Sequence, residues 1–482
     1  MPTPTLDVMK LSVRSIIGYG AGDAANNLAF TLGTTFLLLY YTDVAGLPAA
    51  AVGTMFLVVR LWDAVADLFA GRVVDRTMTR RGKFRPFILF GAVPLLVMSV
   101  LTFAVPRGWS GGAQLLYAYL TYAVLGLVYS LVNVPYGSLA SAMTQLSRER
   151  AKLATARGLG AASAGLLLTF IIAPQIQAIT RDKALPPAGR ADQLQSVFLT
   201  TTVLFVAVGA ALYLLTYLWC RETVVRVQPR VTVRETFRTL RTNKPLGILC
   251  GSSFFYLIGL FAVGGATAYY AIYVLGDARY IIWMTLVTVV VQFATAPFIP
   301  RLVARFGKKN LYQYCGLFTV AGGVALFLTP GSMPLLALAF VAVKGFGVQL
   351  INTLMFALEA DTVEYGEWQT GRRTEGATYA IFSFTRKITQ SIGGALGAFA
   401  LALGGYVSTL GPGAVQPDSA IIAIKASLGL VPAAAAVLAM LVFVRYPLTE
   451  KRYSAMVAET DARKKSLLEA PVAARIPVPA TV

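Results

Sequence analysis

Gly71-Arg72-Val73-Val74-Asp75-Arg76 and, far downstream, Arg301-Leu302-Val303-Ala304-Arg305-Phe306-Gly307-Lys308-Lys309 share a pattern: each is a basic stretch that closes a long apolar run. Working outward from them, apolar runs of the length needed to cross a bilayer, about 20 residues, are centred near residues 30, 60, 96, 126, 164, 208, 260, 290, 320, 345, 390 and 432. The first basic stretch follows the second run and the other follows the eighth, equivalent places in two sets of six. The exits of the fourth run (Arg148, Arg150, Lys152) and of the sixth (Arg221, Arg226, Arg230, Arg234, Arg238, Arg241 and Lys244) are basic too. The opposite connections, Val44 to Ala51, Thr329 to Met333 and Val407 to Ser419, hold no Lys or Arg. Positive charge is retained on the cytoplasmic side, so the even-numbered exits and both termini are expected in the cytoplasm.

Composition agrees. With 482 residues, 56% hydrophobic and only 13% charged, and a mean hydropathy of +0.66, the chain is too apolar for an ordinary soluble enzyme. The net charge of +20 sits in loops, without the aromatic-interleaved basic patches of a nucleic-acid binder. The chain has no His, which removes imidazole metal sites and Ser-His triads, and neither a Gly-x-Ser-x-Gly elbow nor a phosphate-binding Walker loop replaces them. An enzyme or an ATP-driven pump is not expected. Cys220, Cys250 and Cys315 read as reduced and structural, and the N-terminus lacks the pattern of a cleaved signal.

The expected organisation is an N-terminal six-helix half (1–220), a basic cytoplasmic linker (221–245), a C-terminal six-helix half (246–447) and a partly disordered cytoplasmic tail (448–482). Such an all-α membrane protein resembles the major facilitator architecture, in which two halves rock about a solute held between them.

Charges inside a bilayer are costly enough to suggest function. The second run contains Arg60-Leu61-Trp62-Asp63-Ala64-Val65-Ala66-Asp67, and four-residue spacing puts both carboxylates on one helix face. Two anions there need a cation; the alternative is a structural Arg60–Asp63 bridge with Asp67 solvated. Lys387, beside Arg386, lies about eleven residues into the eleventh run, roughly 16 Å along a helix, too deep for simple snorkelling. Lys344 is placed similarly and could neutralise a cavity carboxylate. Asn26 and Asn27 in the first run, and Tyr129, Ser130, Asn133 and Tyr136 in the fourth, offer the amides, hydroxyl and rings that suit a polyhydroxylated ligand, although such groups also hold helices together.

Three motifs in register then show a resemblance. Tyr41-Thr42-Asp43-Val44-Ala45-Gly46-Leu47, Arg60 through Asp67, and Arg81-Gly82-Lys83-Phe84-Arg85-Pro86-Phe87, with Ala360-Asp361-Thr362-Val363-Glu364-Tyr365-Gly366-Glu367-Trp368 and Lys387 in the second half, resemble the glycoside-pentoside-hexuronide:cation symporter family. The resemblance implies Asp63, Asp67 and Ser130 as cation-binding residues, with Asp63 and Asp67 as metal ligands if the coupling cation is sodium. It implies Lys387 between the cation and sugar sites, and Asn27, Asn133 and Arg157 around the solute, with Tyr129 over one ligand face. Two departures stand out: amides replace both sugar-binding aspartates, and Gly137 stands where the melibiose-transporting member has a tryptophan. Ala66 also replaces a polar residue beside the second acid, leaving sodium and proton coupling both open.

The resulting expectation is a monomeric, multi-pass cell-membrane symporter, in the inner membrane if the source is bacterial, that uses Na+ or H+ to move a sugar, glycoside or related polar solute and needs no organic cofactor. A lysophospholipid or other amphiphile symporter, and a transporter-derived sensor, are the competing readings. A cytoplasmic charge lock between Arg76 and the α-helical acids Asp361 and Glu364 is expected to hold the halves together when the cavity faces outward.

Overall fold

The computed structural model describes residues 10–144, 147–182, 184–223, 239–371, 375–408 and 414–469. Most of the basic linker, with Arg226, Arg230, Arg234 and Arg238, and the end of the tail lie outside the described residues. Among the described residues there is no strand. The helices of the first half are α1 (Val13–Leu39), α2 (Ala49–Arg76), α3 (Arg85–Thr102), α4 (Gly111–Met143), α5 (Ser147–Arg181) and α6 (Pro187–Trp219). The second half holds α7 (Lys244–Tyr269), α8 (Tyr280–Thr295), α9 (Ile299–Leu328), α10 (Pro334–Thr370), α11 (Glu375–Leu403), α12 (Asp418–Leu428) and α13 (Leu430–Phe443), and α14 (Glu450–Glu469) follows in the tail.

Every apolar centre read from the sequence falls inside one of these helices. Nine stretches among the described residues are long and apolar enough to cross a membrane, one of them the 49-residue Tyr280–Leu328. That stretch contains α8 and α9, and it turns at Gly307, whose φ of 72° is a backbone conformation glycine adopts without a Cβ clash. α1 and α11 fall short of the same test because they carry polar and charged side chains. Adding them to the apolar stretches is consistent with twelve crossings.

Local chemistry sets several boundaries. Ser12 caps α1 by accepting the Ser15 N–H at 3.1 Å, and Asn243 caps α7 by accepting the Leu246 N–H at 3.1 Å. The first basic loop is pinned by Glu222, just beyond α6, whose carboxylate accepts the N–H groups of Lys83 (2.8 Å), Phe84 (2.8 Å) and Arg85 (3.0 Å). These are the donors a helix N-terminus leaves unpaired, so the link between the second and third crossings is tied to the exit of the sixth.

α1 and α7 end alike. Each passes into a single π-helical turn, Tyr40–Val44 and Tyr270–Val274, and each then reaches a glycine at positive φ, Gly46 at 72° and Gly276 at 71°. The backbone bonds repeat as well: Ala45 N–H to Tyr40 O matches Leu275 N–H to Tyr270 O, and Leu47 N–H to Tyr41 O matches Asp277 N–H to Ala271 O.

Close approach of helices places the polar groups. A Cβ on Gly160 of α5 would collide with the Gly20–Ala24 backbone of α1, so the two helices meet backbone to backbone, as small residues permit in membranes. A Cβ on Gly126 of α4 would occupy the space of the Asp63 carboxylate of α2. The three cysteines are free and buried, as a structural role requires.

Candidate functional site

Three ion pairs stand within and between the membrane-crossing helices. Arg60 reaches Asp63 at 3.3 Å within α2, Arg157 of α5 donates from Nε to Asp23 Oδ1 of α1 at 2.8 Å, and Lys387 of α11 pairs with Asp67 of α2. The last joins the two halves. Four-residue spacing does put Asp63 and Asp67 on one face, and the two use different cations: a structural Arg60–Asp63 bridge exists, and Asp67 is engaged across the halves rather than merely solvated.

Asp63 is incompletely served. One oxygen meets Arg60, but Oδ1 is buried without a hydrogen-bond partner, an arrangement that costs free energy unless a proton or metal ion completes it. Ser130 is buried one helical turn beyond Gly126, which faces Asp63. A small cavity of ≈ 40 Å³ between α1, α2 and α4 is lined by Phe30, Arg60, Asp63, Tyr122, Gly126 and Tyr129. Arg60 stands 5.7 Å from the ring centres of both Phe30 and Tyr122, and Tyr129 stacks on Phe30 at 5.9 Å. These rings hold the guanidinium beside the acid.

The expected solute residues divide into two groups. Asn27 and Arg157 meet on Asp23: Asn27 Nδ2 donates to Asp23 Oδ2 at 2.9 Å and to the Asp23 carbonyl at 2.9 Å, while Arg157 takes the other oxygen. Asn133 is half-buried one turn beyond Tyr129, and Gly137 a turn further is exposed, with open space where a Cβ would stand. Asn26 is structural on one side, its Oδ1 accepting the Tyr213 hydroxyl at 2.7 Å. Tyr136 donates to the Tyr19 carbonyl at 2.6 Å.

Asp23 was missed by the sequence reading, which weighed Asn26 and Asn27 and passed over the acid one turn before Asn27. The signal was present, since a carboxylate inside the first apolar run meets the same criterion that singled out Asp63.

One expectation is corrected. Lys344 does not neutralise a carboxylate: its Nζ donates to the Leu428 carbonyl at 2.8 Å, an acceptor left free because Pro432, four residues on, has no N–H. The expected lock belongs to an outward-facing cavity, and in this conformation, closed at the opposite end, Asp361 and Arg76 are not paired. Asp361 is held within its own half by Lys308, with Nζ at 2.8 and 2.6 Å from its two oxygens, and Arg76 is exposed. Glu364 lies half-buried one turn from Ala360 on the same helix end.

The halves meet instead at the end away from the basic loops. Asp43, in the first π turn, is 3% exposed and accepts hydrogen bonds from Thr42 at 2.7 Å, from Tyr406 at 2.6 Å and from Tyr273. The Thr42 hydroxyl is 2.5 Å from that of Tyr269. Nearby, Gln177 accepts the Ala278 N–H at 2.5 Å, and Arg181 of α5 lies 3.5 Å from Asp277.

A polytopic helical chain of two halves, with charge pairs between and within them, has the build of a membrane transporter. The sequence profile of the MFS/sugar transport protein family matches residues 18–450, and the chain belongs to that family, as a glycoside-pentoside-hexuronide type member of the major facilitator superfamily. It is 46% identical to the glucuronide carrier protein homolog of Escherichia coli (strain K12), across 95% of this chain and 97% of that one. It is 36% identical to the uncharacterized symporter YnaJ of Bacillus subtilis (strain 168), across 96% and 98%. Among solved structures, the D-xylose-proton symporter superposes with a TM-score of 0.58 at 14% identity, covering 90% of this chain and 97% of that one, a likeness of fold. The protein is therefore a multi-pass membrane transporter of the sugar and glycoside type.

Proposed function

We propose that this transporter is a cation-coupled symporter whose solute is a glycoside bearing an acidic group, a hexuronide in the first instance. The observation that carries the coupling is the unpaired Asp63 Oδ1 one turn from an Asp67 engaged by Lys387 of the other half. A cation, Na+ or H+, entering between the acids completes Asp63 and competes with Lys387 for Asp67. Freed from Asp67, α11 changes its relation to α2. Cation and solute then raise each other's affinity through one shared element, as reciprocal linkage requires. A sodium ion bound there would use Asp63 and Asp67, with the Ser130 hydroxyl within reach of the same face.

The solute class rests on the similarity to the glucuronide carrier protein homolog and on the polar groups of α1, α4 and α5. Asn27, Asn133 and Arg157 are the recognition residues in this reading, with Tyr129 along one wall.

Counterflow in proteoliposomes, using labelled glucuronides, neutral glycosides and a lysophospholipid, each with and without a sodium or a proton gradient, tests it. Cation-dependent accumulation of a glycoside is expected. Accumulation of lysophospholipid alone, or binding without movement of any solute, would overturn the reading.

A further inference from the structure

Among the cationic side chains within the membrane-crossing helices, Arg60, Arg157 and Lys387 each have a carboxylate and Lys344 has a backbone carbonyl. Arg386 has neither. Among the described residues it makes no ion pair, and its Nη1 is buried with no hydrogen-bond partner. Its guanidinium lies over the half-exposed ring of Phe356 on α10, 5.0 Å from the centroid. Glu359, one turn further on α10, and Arg157 of the other half are near enough for their charges to act on it, yet neither bonds it. One turn before Phe356 on the same face of α10, Asn352 Oδ1 is also buried and unpartnered.

The contrast with Lys344 is instructive. That buried cation is satisfied by a backbone carbonyl at a helix break, which accounts for it structurally. No such acceptor serves Arg386. A half-buried guanidinium with one buried, unused donor is unfavourable, and its planar fork matches the two oxygens of a carboxylate or of a sulfonate. The Phe356 ring shields one face and fixes the plane without consuming an N–H donor.

Resting on the symport reading above, we propose that Arg386 is the specificity-determining residue that recognises the anionic group of the solute, a sugar carboxylate or a sulfonate at the same position, with Phe356 orienting it and Asn352 taking a neighbouring hydroxyl. Adjacent residues of α11 then serve different ligands: Lys387 answers to the cation site and Arg386 to the solute.

The test is binding of p-nitrophenyl β-D-glucuronide and of p-nitrophenyl β-D-glucoside, which differ by the acidic group, to the purified full-length protein in nanodiscs, with a methyl sulfoquinovoside as competitor to separate sulfonate from carboxylate. The unaltered protein should prefer the glucuronide. Arg386→Gln should weaken glucuronide binding by about tenfold to a hundredfold and leave the glucoside and the cation stimulation of its binding unchanged. Arg386→Lys should recover part of the loss and serves as the variant that keeps the charge should the glutamine form fold poorly. Equal weakening of both ligands in Arg386→Gln, unchanged glucuronide affinity in a folded variant, or no glucuronide preference in the unaltered protein would overturn the assignment. Cation-stimulated binding with no such preference removes this role and leaves symport standing, whereas loss of cation dependence in the unaltered protein removes both.

Discussion

Asp43, buried, and Asp63, half-buried, are carboxylates of the same half set in opposite ways. Asp43 receives three hydroxyl donors and meets residues far away in sequence; Asp63 receives one arginine and keeps an oxygen without a donor. A carboxylate whose acceptors are filled by neutral donors fixes a closed arrangement. One left short is prepared for a partner the chain does not contain. The same side chain thus serves closure at one end of the molecule and ligand capture in the middle, and the difference lies in its neighbours.

The largest expected effect falls on the incomplete acid. Asp63→Asn should abolish cation-driven accumulation and reduce the cation's effect on solute affinity, typically about 5- to 150-fold in coupled systems, to none, while solute exchange survives. A folded Asp63→Asn protein that still concentrates its solute with unchanged cation dependence would refute the assignment.

Next is Asp43→Ala, which removes three bonds to a charged acceptor, each worth about 1.5–3 kcal/mol. Crosslinking between α1 and α7 at that end should drop, and turnover should fall more than about tenfold while solute binding persists. Equal losses of binding and turnover would mean that Asp43 holds the fold rather than a gate. Tyr406→Phe sharpens the comparison, because Asp43 keeps its Tyr273 and Thr42 partners. Its effect should be about 1.5–3 kcal/mol on the same closure equilibrium.

The smallest effect belongs to Asp277, which Arg279 and the exposed Arg181 share. The Arg279 side chain bonds Asp277 and, with its backbone N–H and its charge, outweighs desolvation; Arg181 adds to it, and the carboxyl sits below the usual carboxylate range. A depressed value contributes stability that is present above the unfolded-state pKa and is lost as pH falls through the folded one. Asp277→Asn should therefore lower Tm by about 1–2 °C at most at neutral pH, and the difference should vanish only in acid below the ordinary range.

Much of this was legible in the sequence for physical reasons. Helices that must satisfy their own backbone in lipid announce themselves as apolar runs, and the spacing of Asp63 and Asp67 fixes their shared face. Partners across helices were not legible. Arg157 and Asp23 meet because glycines let α1 and α5 approach, and nothing in either stretch names the other. Lys344 looked like a counter-charge because its acceptor, the Leu428 carbonyl left without a donor by Pro432, lies on a distant helix that nothing around Lys344 names. The Lys308 partner of Asp361 was not legible either, because nothing in either stretch names the other. Asp43 lay in a motif valued for its likeness, without a role, since its donors come from α7 and the segment after α11.

The matching π turns place Asp43 and Tyr273 at the same step of a duplicated element, and those two residues bond each other. In an assembly of two identical halves, a rotation axis would set each such position against its own copy: two carboxylates repelling, or two phenols with no anion between them. Acid and phenol can face each other there only after the copies have become different. A pair of N-terminal halves is thus no substitute for the whole chain, because an unequal closure needs two halves that differ at this step.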